Sequence, residues 1–487
     1  MRRSMRRFSA FVTIAAFAAA LLASQAGAQA GAQATPPKPT DATALGEEAV
    51  QLTKEYLRIN TSNPPGNEIE AVRFFARIFS KEGIAFDTAS AAPGRANIWA
   101  RLKATATGGA AKPALVLLHH MDVVPSDPKY WTADPFASSE KNGNIIGRGA
   151  LDTKSLGIAQ LMAFLALHRE KAALDRDVIF IATADEEAGG NFGAGWLVKN
   201  RPEAFKGAGL LLNEGGDGTR YSDGREFFSI EVTQKVPYWL KLTAVGKPGH
   251  GSTPPPMSSV NHLVAALERL QTHVFPPRVV PAVGAFLAAI APTAGAKWSE
   301  YYKSPQKLIA DRNLLLQLQT ERPGIAGLLR NTCSITMLNA SNKVNVIPPE
   351  ASAQVDCRLL PDQDRAAFRR EFESALNDPT IKIEEILAFT PAVSGTDTPL
   401  YTAAFDLLKR NFPQASIAPA VMTGFTDSHW FRDLGIASYG FSPFLIPEAE
   451  EGGVHGNDEQ ISVENVRRGA RIMLDLVRQV SGTKAKM

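Results

Sequence analysis

Two cysteines in 487 residues, Cys333 and Cys357, are too few for a disulfide framework or a thiolate zinc site. Any metal must therefore be held by His, Asp and Glu. Charge of one sign is equally scarce. The formal net charge is +3, and Arg2, Arg3, Arg6 and Arg7 all fall in the first seven residues, so no basic face remains to neutralise phosphates. This excludes a nucleic-acid partner. No His-Glu-x-x-His occurs, which excludes the single-zinc helical proteases, and no Gly-x-Ser-x-Gly elbow occurs either. Ser-x-x-Lys appears at Ser126/Lys129, Ser138/Lys141 and Ser304/Lys307, three unrelated contexts that show how cheap the pattern is. There are no internal repeats.

What is present is 45% apolar and 21% charged, the balance of a soluble globular chain too long for one compact domain. Residues 1–28 read as a signal peptide: four arginines, an apolar run from Phe8 to about Ala23, then small residues suited to cleavage. The run is shorter than the roughly 20 residues of a membrane span. A periplasmic or secreted protein with no stable membrane association after cleavage is expected. Residues 29–42 are polar and Pro-rich, as in a linker.

From residue 43 to 235, amphipathic stretches (Leu45 to Ile59, Ile69 to Phe79, Ser155 to Leu167) alternate with short apolar runs (Ala114 to Leu118, Val178 to Ala182, Gly209 to Leu212). Strands separated by helices predict an α/β domain, a mostly parallel sheet covered by helices, with its site at the carboxyl ends of the strands. Between 236 and 389 the pattern becomes strand, helix, strand pair, helix and strand, an inserted α+β domain with an antiparallel sheet and helices on one face. Its pair Thr332 to Leu338 and Ala351 to Leu359 carries the two cysteines, either as a disulfide or as two small buried side chains. Phe275 to Arg330 is its least readable part, with Ala282 to Ala291 read as a packed helix. Residues 390–487 return to the first domain and end in a helix at Val463 to Val480.

Five motifs carry chemistry. His119-His120-Met121-Asp122 ends an apolar strand; residues i and i+2 of extended chain share a face, so alternation pairs His120, rather than His119, with Asp122. Asp152 leaves a loop opened by Gly147 and Gly149 just before a helix, where an Asp also serves as an N-cap. Asp185-Glu186-Glu187 follows a buried strand, a costly run of like charge unless a cation or solvent compensates. Glu214 ends another apolar strand, and His455 stands in a glycine-flanked loop before the last helix. Each alone has an ordinary explanation. Together they put two imidazoles and at least three carboxylates on one rim, the donor set of a pair of borderline cations such as Zn²⁺.

The order of these motifs resembles the di-zinc metallopeptidases and amidohydrolases that include carboxypeptidase G, aminoacylase, succinyl-diaminopimelate desuccinylase and carboxypeptidase S. The resemblance spans about Leu45 to Val480. It implies two Zn²⁺, with Co²⁺ or Mn²⁺ as substitutes, held by His120 and Glu214 on one side and Glu187 and His455 on the other, with Asp152 bridging. It further implies Asp122 as the carboxylate orienting His120, and Glu186 as general base. Gly246-Lys247-Pro248-Gly249-His250-Gly251-Ser252-Thr253-Pro254 resembles the family's lid signature, which implies that His250 stabilises the developing oxyanion, often from a neighbouring subunit of a lid-mediated homodimer. Asn345 and Arg358 match lid positions that grip a substrate carboxylate, and Gly424-Phe425-Thr426-Asp427-Ser428, led by Gly424, matches a loop lining the substrate pocket.

His119 replaces the Gly usual before the metal-binding His, and the Phe275 to Arg330 segment is closer to the carboxypeptidase S type than to the short dimeric members. The activity implied is amide hydrolysis, releasing a C-terminal amino acid from a small peptide, or alternatively from an N-acyl amino acid. Di-zinc aminopeptidases share a similar ligand series but lack such a lid. A catalytically silent binding protein would normally have lost the base or a ligand, and none is lost here.

Overall fold

The apolar runs pair in the middle of one large sheet. In a computed structural model, which describes residues 40–105, 112–451 and 453–483, the strands Arg176–Thr183, Lys112–His120, Ala208–Asn213 and Ala437–Gly440 lie side by side and parallel. Each is buried on both faces, which is why each reads as a near-continuous apolar run. The flanks are antiparallel: Arg95–Leu102 and Phe86–Ala92 on one side, Glu226–Gln234 on the other. The sheet is thus mixed, with a parallel centre.

The helices Ala42–Leu57, Lys154–Arg169 and Val463–Ser481 pack together over one face. Their burial differs. Lys154–Arg169 is enclosed along nearly its whole length, whereas Val463–Ser481 buries one stripe and keeps its Arg and Glu side chains outside. Parallel strands that run the same way bring their carboxyl ends to one edge, and His120, the Asp185–Glu187 turn and Glu214 follow directly from three of them.

A separate four-stranded antiparallel sheet has the order Thr332–Asn339, Glu350–Leu359, Val236–Val245, Lys382–Ala388. Tyr238, Leu240 and Leu242 alternate into a core shared with the helices Ser259–Thr272 and Arg365–Leu376. Cys333 and Cys357 face each other across two neighbouring strands and form a disulfide.

The segment from 281 to 327 goes elsewhere. Its helices, beginning with Pro281–Ile290, form a core with Phe227, Ala418 and Val421, so they pack on the Glu226–Gln234 and Ser416–Met422 strands of the large sheet, not on the lid sheet. The span expected to be one lid contains two bodies with separate cores.

The signal peptide and most of the expected linker lie outside the described residues. No helix among the described residues is long and apolar enough to cross a membrane.

Candidate metal centre

Asp152 is the hub. Its Oδ1 lies 2.9 Å from His120 Nε2 and its Oδ2 lies 3.0 Å from His455 Nε2. Glu214 Oε2 is 3.4 Å from His120 Nε2, and Glu187 Oε2 is 3.2 Å from His455 Nε2. The two imidazoles thus take opposite oxygens of one carboxylate, and each has a second carboxylate of its own. Asp152 is not an N-cap: the helix is preceded by Thr153, and the Asp152 side chain is spent on the histidines.

The loop carrying Asp152 is held by Glu459, which lies four residues beyond His455. Its buried carboxylate accepts from the backbone N–H groups of Gly149, Leu151 and Asp152 at 3.0, 2.6 and 3.0 Å and pairs with Arg148 at 2.7 Å. Glu459 carries no sequence signal for this role. Its partners are main-chain groups, and no side-chain pattern reveals them.

Asp122 is fully buried. His120 Nδ1 donates to the Asp122 main-chain carbonyl at 2.9 Å, while Asp122 Oδ1 stands farther off at 3.5 Å. The carboxylate accepts from Asn63 Nδ2 at 2.8 Å and from the N–H groups of Glu186 and Glu187 at 3.1 and 3.2 Å. One residue therefore fixes the ring of His120 and the turn that presents both glutamates. The three acids of that turn separate. Asp185, at φ 69°, accepts from Asn63, Phe192 and the buried Arg95, itself paired with Glu68. Glu186 enters the cluster with His120 and Glu214, and Glu187 joins His120 and Asp152.

His119 points the other way. Its ring is buried among Tyr56, Phe75 and Phe180, and burial lowers its pKa to about 3, so it stays neutral. A Cβ on Gly157 would come 2.3 Å from this ring, which the three aromatics keep from retreating. Gly157→Ala is therefore expected to cost about 1–3 kcal/mol of stability, read as a lowered Tm; an unchanged Tm would mean that the ring has room to move.

Like charges dominate the electrostatics. Burial, then the neighbouring carboxylates, push Glu214 up to about 7 and Glu186 well above the usual carboxylate range. Burial opposes the charged form of His120, but Glu214, Asp122 and Asp152 outweigh it and hold its pKa well above the ordinary imidazole value. His455, bonded to Asp152 and Glu187, rises to about 10. Glu187 Oε1 is buried without a hydrogen-bond partner among the described residues. A site built from converging acids, two imidazoles and an orphaned carboxylate oxygen is poorly satisfied by its own protons. It fits divalent cations.

The remaining expected residues are placed apart from this cluster. His250 and Asn345 are exposed on a small ribbon where Gly249–His250 pairs with Val346–Ile347, and His250 Nδ1 bonds Ser252 Oγ at 2.7 Å. Among the described residues neither side chain bonds to the cluster. Arg358 pairs with Asp356 two positions back on its own strand (2.8 and 3.1 Å) and lies over the rings of Trp239 and Phe425. Its Nη1 is buried and has no hydrogen-bond partner among the described residues. Phe425 belongs to the loop begun by Gly424, and Asp427 of that loop accepts from Thr183 Oγ1 at 2.9 Å, just before the acidic turn. This loop joins the lid arginine to the cluster's edge. Burial raises Asp427 to about 8, and nothing in the sequence beyond its place in that motif marks it.

Residues 116–479 match the sequence profile of "Peptidase family M20/M25/M40". The chain belongs to this family. It is a hydrolase of the M20 kind, and its mixed sheet with a separate antiparallel sheet is the M20 architecture. Among curated proteins, this M20 chain is 29% identical over 378 residues to "N-fatty-acyl-amino acid synthase/hydrolase PM20D1" of Xenopus tropicalis, covering 74% of this chain and 71% of that protein. It is 28% identical over 450 residues to "Aminoacylase-1" of Sus scrofa, covering 90% and 96%. Among solved structures it superposes on the M20 family metallo-carboxypeptidase Sso-CP2 from Sulfolobus solfataricus with a TM-score of 0.64 at 18% identity, covering 89% of this chain and 99% of that one. At that identity the likeness concerns the fold alone.

Proposed function

We propose that this M20 chain hydrolyses the amide bond of small substrates that end in a free amino-acid carboxylate, with Glu186 as general base. The carrying observation is the position of Glu186: buried, grouped with His120 and Glu214, and set in a turn whose N–H groups donate to Asp122. Its carboxylate takes a proton from the attacking water as oxygen adds to the carbonyl carbon. The same proton goes to the departing nitrogen as the C–N bond breaks. Asp122 sets the Glu186 turn and the His120 ring together, so base and ligands move as one unit.

His120, Asp152 and Glu214 would hold one divalent ion, and Asp152, Glu187 and His455 a second; zinc is the first choice, with cobalt or manganese as substitutes. When bound, such a pair supplies Lewis acidity for the carbonyl and lowers the pKa of water. An M20 peptidase from Bacillus subtilis described as dinuclear metal binding supports this reading.

The unpartnered Nη1 of Arg358 beside the Gly424 loop supports recognition of a substrate carboxylate. Asn345 and the oxyanion role of His250 would require the lid ribbon to close on the site or a neighbouring subunit to supply it. Peptides and N-acyl amino acids both satisfy this geometry; the names of the PM20D1 and aminoacylase relatives favour the second. The amino-terminal pattern and the Cys333–Cys357 disulfide support a periplasmic or secreted location.

The test is a panel of dipeptides and N-acyl amino acids, each as free acid and as C-terminal amide, with chelator and with zinc restored. Chelator-sensitive cleavage of the free acids is expected, with amides at least about tenfold slower, since a buried guanidinium N–H then loses its charged partner. Equal rates on amides would remove the carboxylate assignment, and turnover indifferent to chelator would remove the metal.

A further inference from the structure

Lys235 lies outside the metal centre, yet it is only 1% exposed. It stands between Glu226–Gln234 of the large sheet and Val236–Val245 of the lid sheet, where the chain passes from one to the other. A lysine is rarely enclosed to this degree without a carboxylate, and among the described residues no carboxylate pairs with it. Its Nζ donates instead to the main-chain carbonyls of Gly327, at 2.8 Å, and Arg330. Both carbonyls belong to the exit of the helical insert at 281–327, whose last helix is Pro323–Gly327. Burial, then the charges of Arg358, Arg278 and Arg330, lower the Lys235 pKa to about 7, so the arginine of the carboxylate assignment is among its neighbours.

The strand Glu350–Leu359 lies between Thr332–Asn339 and Val236–Val245, and Arg358 near its end stands opposite Thr332 on one side and Pro237 on the other. Lys235 precedes Pro237 by two residues, and Arg330 precedes Thr332 by two. The Lys235–Arg330 bond therefore ties the two flanking strands together just past Arg358. The Cys333–Cys357 disulfide fixes the pairing one position before it. The Lys235 main-chain N–H also donates to the Met422 carbonyl at 2.7 Å, two residues ahead of Gly424, so the loop that lays Phe425 against Arg358 starts from the same anchor. We propose that Lys235 is the positioning residue of Arg358: by bridging its own strand, the insert exit and the Gly424 loop, it holds the guanidinium where a substrate's free carboxylate meets it. This rests on the carboxylate reading above. A planar fork grips both carboxylate oxygens only while its orientation is kept. The insert thereby gains a role beyond its own packing, since it supplies the carbonyls on which the bridge rests.

The test measures kcat and KM for the best-cleaved member of the dipeptide and N-acyl amino acid panel, as free acid and as C-terminal amide. The zinc-loaded wild type, Lys235→Met and Lys235→Gln are compared, with Tm measured on each. Lys235→Met keeps the buried stem and removes the donor. Its KM for the free acid should rise roughly tenfold, with kcat and the KM of the amide within about twofold of wild type. A loss of packing or of lid motion would instead move kcat and KM together on both substrates. In Lys235→Gln the side-chain nitrogen falls one bond short of the carbonyls, and this variant decides by the same criterion if Lys235→Met does not fold. A folded variant that keeps the wild-type ratio of acid to amide KM, or that raises both KM values alike, overturns the positioning role and leaves the carboxylate assignment standing. A wild type that treats acid and amide alike, or cleaves neither, removes that assignment and the positioning role with it.

Discussion

Glu186→Gln is expected to lower kcat by about 100- to 10,000-fold while leaving two bound ions per chain. The substitution keeps side-chain volume and removes only the ability to accept and return a proton. The turn itself should survive, because the contacts that hold it are the Glu186 and Glu187 N–H groups donating to Asp122, and these are main-chain atoms. Removing one acid from a group of mutually repelling carboxylates also relieves the apo protein: burial and Glu214 already hold the Glu186 carboxyl well above its ordinary range. Metal analysis by mass spectrometry and steady-state kinetics on the same preparation separate the outcomes. A Gln variant with near-normal kcat would place the base elsewhere, and Asp427, buried and bonded to Thr183, would be the next group to substitute. A variant that loses an ion would show that Glu186 ligates rather than transfers protons.

His120, the Asp185–Glu187 turn and Glu214 were legible because each ends or directly follows an apolar strand, whereas Asp152 and His455 lie in turns marked only by the glycines around them. Lys112–His120 is apolar until its last two positions, and alternation alone turns His119 inward and His120 toward Asp122. The strand Arg95–Leu102 was not legible, since Arg95 and Asn97 interrupt its apolar pattern; both are buried because Glu68, Asp185 and backbone groups satisfy them. Glu226–Gln234 hid for the same reason, its central Glu231 neutralised by Arg432 from 201 residues away. Buried ion pairs erase periodicity, and only the fold reveals the partner.

The insert failed differently. Pro281–Ile290 reads correctly as a packed helix, but an apolar face says only that a helix is covered, not by what. Its packing on Phe227 and Val421 rather than on the lid sheet decides whether a cavity exists beside the cluster at all. The lid residues show a further limit. His250 pairs with Val346, the residue after Asn345, yet a sequence carries no information on how far a lid stands from the site it serves.

Asp152→Asn is expected to cut metal affinity at least about 100-fold and to leave fewer than two ions per chain after dialysis. Asp152 presents one oxygen to His120 and the other to His455, so a neutral amide must turn its NH₂ toward one of the two sides. Whichever side receives the NH₂ loses an acceptor and gains a donor, and both sides lose a shared negative charge. The loop cannot compensate by shifting, because Glu459 holds Gly149, Leu151 and Asp152 by their backbone N–H groups, and these bonds are untouched by the substitution. The variant should therefore fold with its loop in place and fail specifically at the ions. Glu459→Gln makes the converse change: Asp152 keeps both oxygens, the loop loses a charged acceptor and its Arg148 partner, and affinity should fall about 10- to 100-fold, with a lowered Tm. Zinc titration calorimetry on the two variants, with Tm measured in chelator, reads the difference. An Asp152→Asn protein that retained two ions at unchanged affinity would show that Asp152 is a structural partner of two histidines, and the paired-ion reading would fall with it.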